Sequence, residues 1–115
     1  GALSADYAAT ARGAGLPVPV AIFAAYPGRS LKGLPFTLPE APLRDLPRSV
    51  DVVALGGARD TTVGTAVARR IGRLGRYALI RDPAVDEHRG PLQTGAAARR
   101  VFWGPLDRLI RSARR

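Results

Sequence analysis

Hydrophobic residues in this chain fall into three short, nearly continuous runs that are separated by more polar stretches. The runs extend over residues 18–26, 49–55 and 77–80. Hydrophobicity that is continuous rather than alternating is typical of parallel β-strands that are covered on both faces. The pattern therefore predicts three buried strands.

Helical patterns lie before, between and after the predicted strands. Helices are expected over residues 2–12, 66–74 and 94–103, after which Gly104-Pro105 breaks or kinks the last one. The first two have apolar residues at helical spacing: Leu3, Tyr7 and Ala11, then Val67, Ile71 and Leu74. Strands that alternate with helices imply parallel crossovers and a sheet covered on both sides. The predicted fold class is α/β, with about three parallel strands and flanking helices.

The composition narrows the classes of function. With 115 residues the chain is long enough for one domain at most. It contains no cysteine, so disulfides and thiolate metal sites are excluded. With one histidine and only two glutamates, Glu40 and Glu87, a zinc or di-metal centre is not expected. No apolar stretch is long enough to predict a transmembrane helix.

The formal net charge of +9 has two interpretations. One is a surface for nucleic acid or another anion. The other is a coding bias toward arginine, since Lys32 is the only lysine and the arginines are scattered along the chain. The aromatic residues that single-strand binding places among basic ones are also missing. Coding bias is therefore the favoured interpretation of the charge, and no nucleic-acid partner is expected. A small basic α/β module that binds nucleic acid or another anion stays open as an alternative function.

Two polar side chains follow the second and third predicted strands. Asp60 comes shortly after residues 49–55, and His88, the only histidine, lies in the polar loop of residues 81–91. Open α/β sheets form their sites at the carboxyl ends of neighbouring strands, so these side chains are expected to meet. A carboxylate that orients a histidine is half of a catalytic triad. Two alternatives stay open: Asp86 as the acid, and Asp60 as a loop residue that caps a turn or helix.

This order of elements resembles the C-terminal half of an α/β-hydrolase. Gly57, Asp60 and Val63, spaced as Gly-x-x-Asp-x-x-Val, are similar to the acid loop of that family, and His88 is similar to its histidine. The acid also precedes the histidine in the family. The resemblance implies a serine hydrolase that acts on ester bonds, of the esterase or lipase type, with Asp60 as the triad acid and His88 as the general base.

No nucleophile is recognisable in the chain. The family's serine lies in Gly-x-Ser-x-Gly. None of the four serines has that context: Ser4, Ser30, Ser49 and Ser112. The segment Gly1-Ala2-Leu3-Ser4-Ala5 resembles the small-residue start of the helix that follows this motif. The resemblance implies that residues 1–115 are the C-terminal portion of one hydrolase domain, inactive alone and dependent on the remaining N-terminal half.

The resemblance also points to the end of the first strand as part of a substrate pocket. Tyr26 at that end, and Phe36 in the proline-rich loop of residues 27–47, are candidates for contact with a small-molecule or lipid ester. Packing of these side chains on the sheet is the alternative. Residues 43–46 of the loop are expected to form one helical turn. The resemblance implies neither a cofactor nor a metal.

Overall fold

The structure is a computed structural model that describes residues 1–30, 35 and 39–115. Across these residues the sheet has three parallel strands, β1 (Ala21–Ala25), β2 (Asp51–Gly57) and β3 (Arg76–Ile80). They lie in the order β1-β2-β3, so that Ala54 of β2 is opposite Ala24 on one side and Tyr77 on the other. The three predicted strands are present, but the expectation that all three are buried is wrong for β3, an edge strand in which no residue is fully buried.

Helices flank this sheet. Helix α1 (Ala2–Ala11) precedes β1, and α2 (Ala66–Gly72) connects β2 with β3. The C-terminal helix runs through α3 (Ala96–Ala98), a π-helical segment (Arg99–Trp103) and α4 (Gly104–Ala113). The architecture is α/β, as the sequence predicts.

Side chains that alternate along the strands form two apolar layers, one on each face of the sheet. On the first face α1 and α2 pack on β1 and β2, and the side chains of Val52 and Ile71 are almost completely buried. On the second face the C-terminal helix packs through Ala98 and Phe102 against Leu55. Helices on both faces explain why the strands are continuous apolar runs.

The buried face of α1 differs from the predicted stripe. Leu3 and Tyr7 are 68% and 42% exposed. The buried residues of this helix are alanines: Ala2, Ala5, Ala8, Ala9 and Ala11. Alanine has no atoms beyond Cβ, so the helix backbone can approach the strands closely. In α2 the predicted stripe is wrong at Leu74, which lies beyond the end of the helix and is 37% exposed.

Several element boundaries differ from the prediction at proline and glycine. β1 begins at Ala21, three residues later than expected, because Pro19 has no N–H group to donate to a neighbouring strand. β2 continues through Gly56 and Gly57, where the sequence suggests a turn, and both glycines pair with β3. The predicted helical turn after the proline-rich loop is present as a single 3-10 turn, Leu43–Asp45.

The C-terminal helix continues past Pro105. Proline has no N–H group for the carbonyl one helical turn earlier. The chain widens here into the π-helical segment, in which the Gly104 N–H donates to the Arg99 carbonyl. Of the predicted break or kink at Gly104-Pro105, the break is absent: the helix changes locally to the π-helical form and continues as α4, with Pro105 in its first turn.

A buried ion pair connects α1 with the segment after β1. The Arg29 side chain, only 3% exposed, donates to both carboxylate oxygens of Asp6, at 2.6 and 2.8 Å, and to the Pro39 carbonyl at 2.9 Å. The Ala41 N–H also donates to Asp6, at 3.3 Å. These hydrogen bonds, above all those from Arg29, hold the pKa of Asp6 below its ordinary value of 3.8 against the opposing effect of burial.

Asp6→Asn is expected to lower the free energy of unfolding at pH 7 by about 2 kcal/mol, less than the roughly 3–5 kcal/mol typical of breaking a fully buried pair. The smaller figure reflects the partial exposure of Asp6, at 18%, and the presence of Glu40 3.8 Å from Arg29. The pKa of Asp6 is lower in the folded state than in the unfolded state. Its contribution is therefore complete above the unfolded value and is lost as the pH falls through the folded value.

Urea denaturation at several pH values measures this effect. The difference in stability between the native protein and the variant should be full at pH 7 and should shrink as the pH falls below the ordinary Asp pKa of 3.8. Asp45→Asn is the control, because the Asp45–Arg44 ion pair is exposed and its ions are 4.0 Å apart. That change should cost less than about 0.5 kcal/mol at any of these pH values. Equal losses for the two variants would contradict the prediction.

Candidate active site

Two loops meet at the carboxyl edge of the sheet. The acid loop, residues 58–64, follows β2, and the histidine loop, residues 81–89, follows β3. Because β2 and β3 are parallel neighbours, both loops leave the sheet at the same edge. The structure brings Asp60 and His88 together there, with 2.9 Å between Asp60 Oδ2 and His88 Nδ1.

The Asp60 carboxylate is fixed through both of its oxygens. Its side chain has no exposed surface. Oδ1 accepts the N–H groups of Thr62, at 3.0 Å, and Val63, at 3.1 Å, while Oδ2 faces His88. The turn-capping role and the histidine-orienting role, which the sequence leaves as alternatives, are both present on different oxygens of one carboxylate.

His88 combines a fixed ring nitrogen with solvent access. Its side chain is 38% exposed. A carboxylate only accepts hydrogen bonds, so we assign the proton between His88 and Asp60 to Nδ1, which leaves Nε2 as the basic nitrogen. The ring lines an open cavity of about 640 Å³. The other lining residues are mostly polar: Ala58, Arg59, Thr61, Thr62, Glu87 and Arg89.

Asp86, the alternative acid, has a different partner. Its side chain is only 4% exposed, and both of its oxygens accept from Arg59 Nε at 3.0 Å. Asp60, not Asp86, therefore forms the carboxylate–imidazole contact.

The other motif positions pack the two loops. A Cβ atom on Gly57 would overlap the Asp86 carbonyl oxygen and lie 3.0 Å from a ring carbon of Tyr26. A Cβ atom on Gly28, just after β1, would overlap the side chain of Val63. Only glycine at positions 57 and 28 allows these approaches. Each of the three positions of the Gly-x-x-Asp-x-x-Val motif thus has a physical explanation. Gly57 admits the Asp86 backbone, Asp60 binds the acid-loop backbone and His88, and Val63 packs on Gly28.

Tyr26, which the sequence suggests as a substrate contact, lies in the interior of the protein. It is only 4% exposed, and its hydroxyl donates to the Val85 carbonyl at 2.5 Å. Its ring meets that of Phe102 edge to face, with centroids 5.4 Å apart. Burial, and next the charge of Asp86, raises the pKa of Tyr26 well above its usual value. Tyr26 therefore supports the histidine loop. Phe36 lies outside the described residues.

Apart from His88, sequence reasoning missed the residues that line the cavity, among them Arg59, Thr61 and Thr62. Arg59 directly precedes Asp60, but nothing in the sequence pairs it with Asp86. Of the residues that the structure describes, none of the serines lines this cavity.

Other candidate chemistries find little support in the part of the chain that the structure describes. It contains no group of three side chains suited to hold a metal ion. Among the same residues, no helix is both long and apolar enough to span a membrane. The arginines of α2 and those of α4 lie on opposite faces of the sheet, so they do not form one basic surface. The alternative function as a nucleic-acid or anion-binding module requires such a surface.

Comparison with models of known protein families gives no match, and comparisons with curated proteins and with solved structures give none either. A functional assignment therefore depends on the geometry of the site.

Proposed function

We propose that this chain supplies the acid and the base of a serine hydrolase that acts on ester bonds, with Asp60 as the acid and His88 as the base. The observation that carries the proposal is the 2.9 Å contact between the fixed carboxylate of Asp60 and Nδ1 of His88. It leaves the second nitrogen of a partly exposed imidazole free to exchange protons with a reacting group.

The arrangement suits acyl transfer in two steps. As a serine hydroxyl attacks the ester carbonyl, His88 Nε2 accepts its proton, and Asp60 stabilises the imidazolium that results. The imidazolium then returns this proton to the departing alcohol, which leaves an acyl-serine. In the second step His88 takes a proton from water while the water oxygen attacks the acyl carbon. The bond from this carbon to the serine oxygen then breaks, which releases the carboxylic acid, and His88 returns the proton to the serine oxygen.

The proposal requires a nucleophile from outside the described residues. On the family resemblance, we propose that it lies before Gly1, in a strand–turn–helix segment. The position of α1 is compatible with this, because Gly1 packs on Pro27, just beyond the carboxyl end of β1. The helix therefore begins at the same edge of the sheet as the Asp60–His88 pair. The proposal takes the oxyanion-hole donors from the same segment.

A fluorophosphonate probe tests the proposal on the full protein that the gene encodes, because such probes react with activated serines. We expect one labelled serine, located by mass spectrometry in a Gly-x-Ser-x-Gly segment before Gly1, and hydrolysis of p-nitrophenyl butyrate. His88→Gln should abolish both while the protein stays folded. Absence of a labelled serine, or labelling that His88→Gln leaves unchanged, would overturn the proposal.

A further inference from the structure

We propose that Arg59 and Asp86 are a pair of positioning residues, which hold the acid loop against the histidine loop and thereby keep Asp60 within hydrogen-bonding distance of His88. The inference rests on the proposed function, because it assigns the pair a role in that site. Neither residue needs to touch the substrate for this role. Each lies close in sequence to one member of the site, Arg59 beside Asp60 and Asp86 two residues before His88.

The side chains of the pair form a multiple contact. Arg59 Nε lies 3.0 Å from each oxygen of Asp86, and its terminal NH2 group lies 2.9 Å from Oδ1. The same NH2 group donates to the Pro83 carbonyl at 2.9 Å, within the histidine loop. A guanidinium that binds one carboxylate through two nitrogens has a defined orientation as well as a favourable energy. The Asp86 carboxylate, which accepts hydrogen bonds from this guanidinium, also raises the pKa of Arg59.

The backbones of the same two residues are joined as well. The Arg59 N–H donates to the Asp86 carbonyl at 3.1 Å, and the Ala58 N–H donates to the Ile80 carbonyl at 2.8 Å. These bonds extend the pairing of β2 and β3 into the two loops. Gly57 permits the close approach, since any side chain there would meet the Asp86 backbone.

The histidine loop is held from its other side by Tyr26. The Tyr26 hydroxyl binds the carbonyl of Val85, the residue directly before Asp86. The loop is thus fixed at two consecutive positions, one by Tyr26 just after β1 and one by the acid loop. His88 follows shortly after them and has a single hydrogen bond from its ring to the described residues, the one to Asp60. The position of His88 therefore depends on how firmly Asp86 is held.

The imidazole of His88 reports on this dependence directly. It is the only histidine of these 115 residues, so in the full protein its ring signals are identified by their absence from His88→Gln. We would measure how fast the Nδ1 proton exchanges with water, which depends on its hydrogen bond to Asp60. The Nδ1 proton exchanges when its hydrogen bond to Asp60 opens, so we expect Arg59→Gln to speed exchange by roughly tenfold, the change that a loss of about 1.4 kcal/mol in the stability of this bond gives.

Two further variants and a control make the experiment decisive. Arg59→Gln leaves the buried Asp86 carboxylate without its cation. The double variant Arg59→Gln/Asp86→Asn avoids this, because it removes both charges. Arg59→Lys keeps the positive charge but cannot bind the carboxylate through two nitrogens. Both should also speed exchange. Arg76→Gln is the control, because it breaks an exposed ion pair with Asp51 between β3 and β2, away from the loops. Its exchange rate should stay within about twofold of the native rate.

The outcomes separate this inference from the proposed function. A native protein without a protected Nδ1 proton would contradict the Asp60–His88 contact and thus the proposed function. A protected proton that exchanges at the native rate in Arg59→Lys and in the folded double variant would overturn the positioning role alone. Faster exchange in all three Arg59 variants, with a native rate in Arg76→Gln, is the result expected.

Discussion

Asp60→Asn is expected to lower kcat/KM of the full protein for p-nitrophenyl butyrate by about 10⁴-fold while the fold is retained. The cause of this loss of activity is that the two carboxylate oxygens of Asp60 have different hydrogen-bond partners. Oδ1 accepts two backbone N–H groups, so the asparagine oxygen must stay there and its NH2 group must replace Oδ2. That group donates to His88 Nδ1 and forces the ring proton onto Nε2, which then cannot accept a proton from serine.

Asp82→Asn is a closely matched control for this prediction. Asp82 lies in the histidine loop. Like Asp60, it accepts a backbone N–H through Oδ1, here that of Ala84, and it accepts a side-chain donor through Oδ2, here Arg100. It does not contact His88, so its loss should change kcat/KM by less than about threefold. Asp60→Asn with more than about a tenth of native activity, or equal losses for both variants, would contradict the assignment of Asp60.

Gly57→Ala is expected to lower the free energy of unfolding by about 3 kcal/mol or more. The added methyl group would overlap the Asp86 carbonyl oxygen and lie 3.0 Å from the carbonyl carbon. A backbone group cannot rotate aside as a side chain can, so the two loops must separate. We also expect the Arg59–Asp86 contact to lengthen as a result.

Urea denaturation of the full protein measures the loss, with Gly13→Ala as the control. Gly13 lies just after α1, and the nearest atom to a Cβ there is the Thr10 carbonyl oxygen, at an ordinary contact distance of 3.7 Å. That change should alter stability by no more than about 0.5 kcal/mol. Similar stability for the two variants would show that the loops are not packed as described.

The strands and the meeting of Asp60 with His88 could be predicted because both follow from general rules. Strands buried on both faces are continuous apolar runs, and parallel strands place the loops after them at one edge. No comparable rule decides between Asp60 and Asp86 as the acid. That choice depends on where the Arg59 side chain points, which is a tertiary fact.

The features of the fold that the sequence does not predict depend on the size and bonding of individual side chains rather than on hydrophobicity. Leu3 and Tyr7 have the largest hydrophobic side chains of α1, but the helix turns its alanines toward the sheet because they permit a closer approach. Gly56 and Gly57 suggest a turn by propensity, yet they continue β2, and Gly57 accommodates the Asp86 backbone. Tyr26 has the aromatic character of a substrate contact, but its hydroxyl is used inside the fold.

The tautomer of His88 tests the central claim most directly, and a ¹⁵N NMR spectrum of the imidazole measures it. If Asp60 orients the ring as the 2.9 Å contact indicates, the neutral imidazole carries its proton on Nδ1, and Asp60→Asn moves that proton to Nε2. A native ring with its proton on Nε2, or a tautomer mixture that Asp60→Asn leaves unchanged, would contradict the acid–base pair.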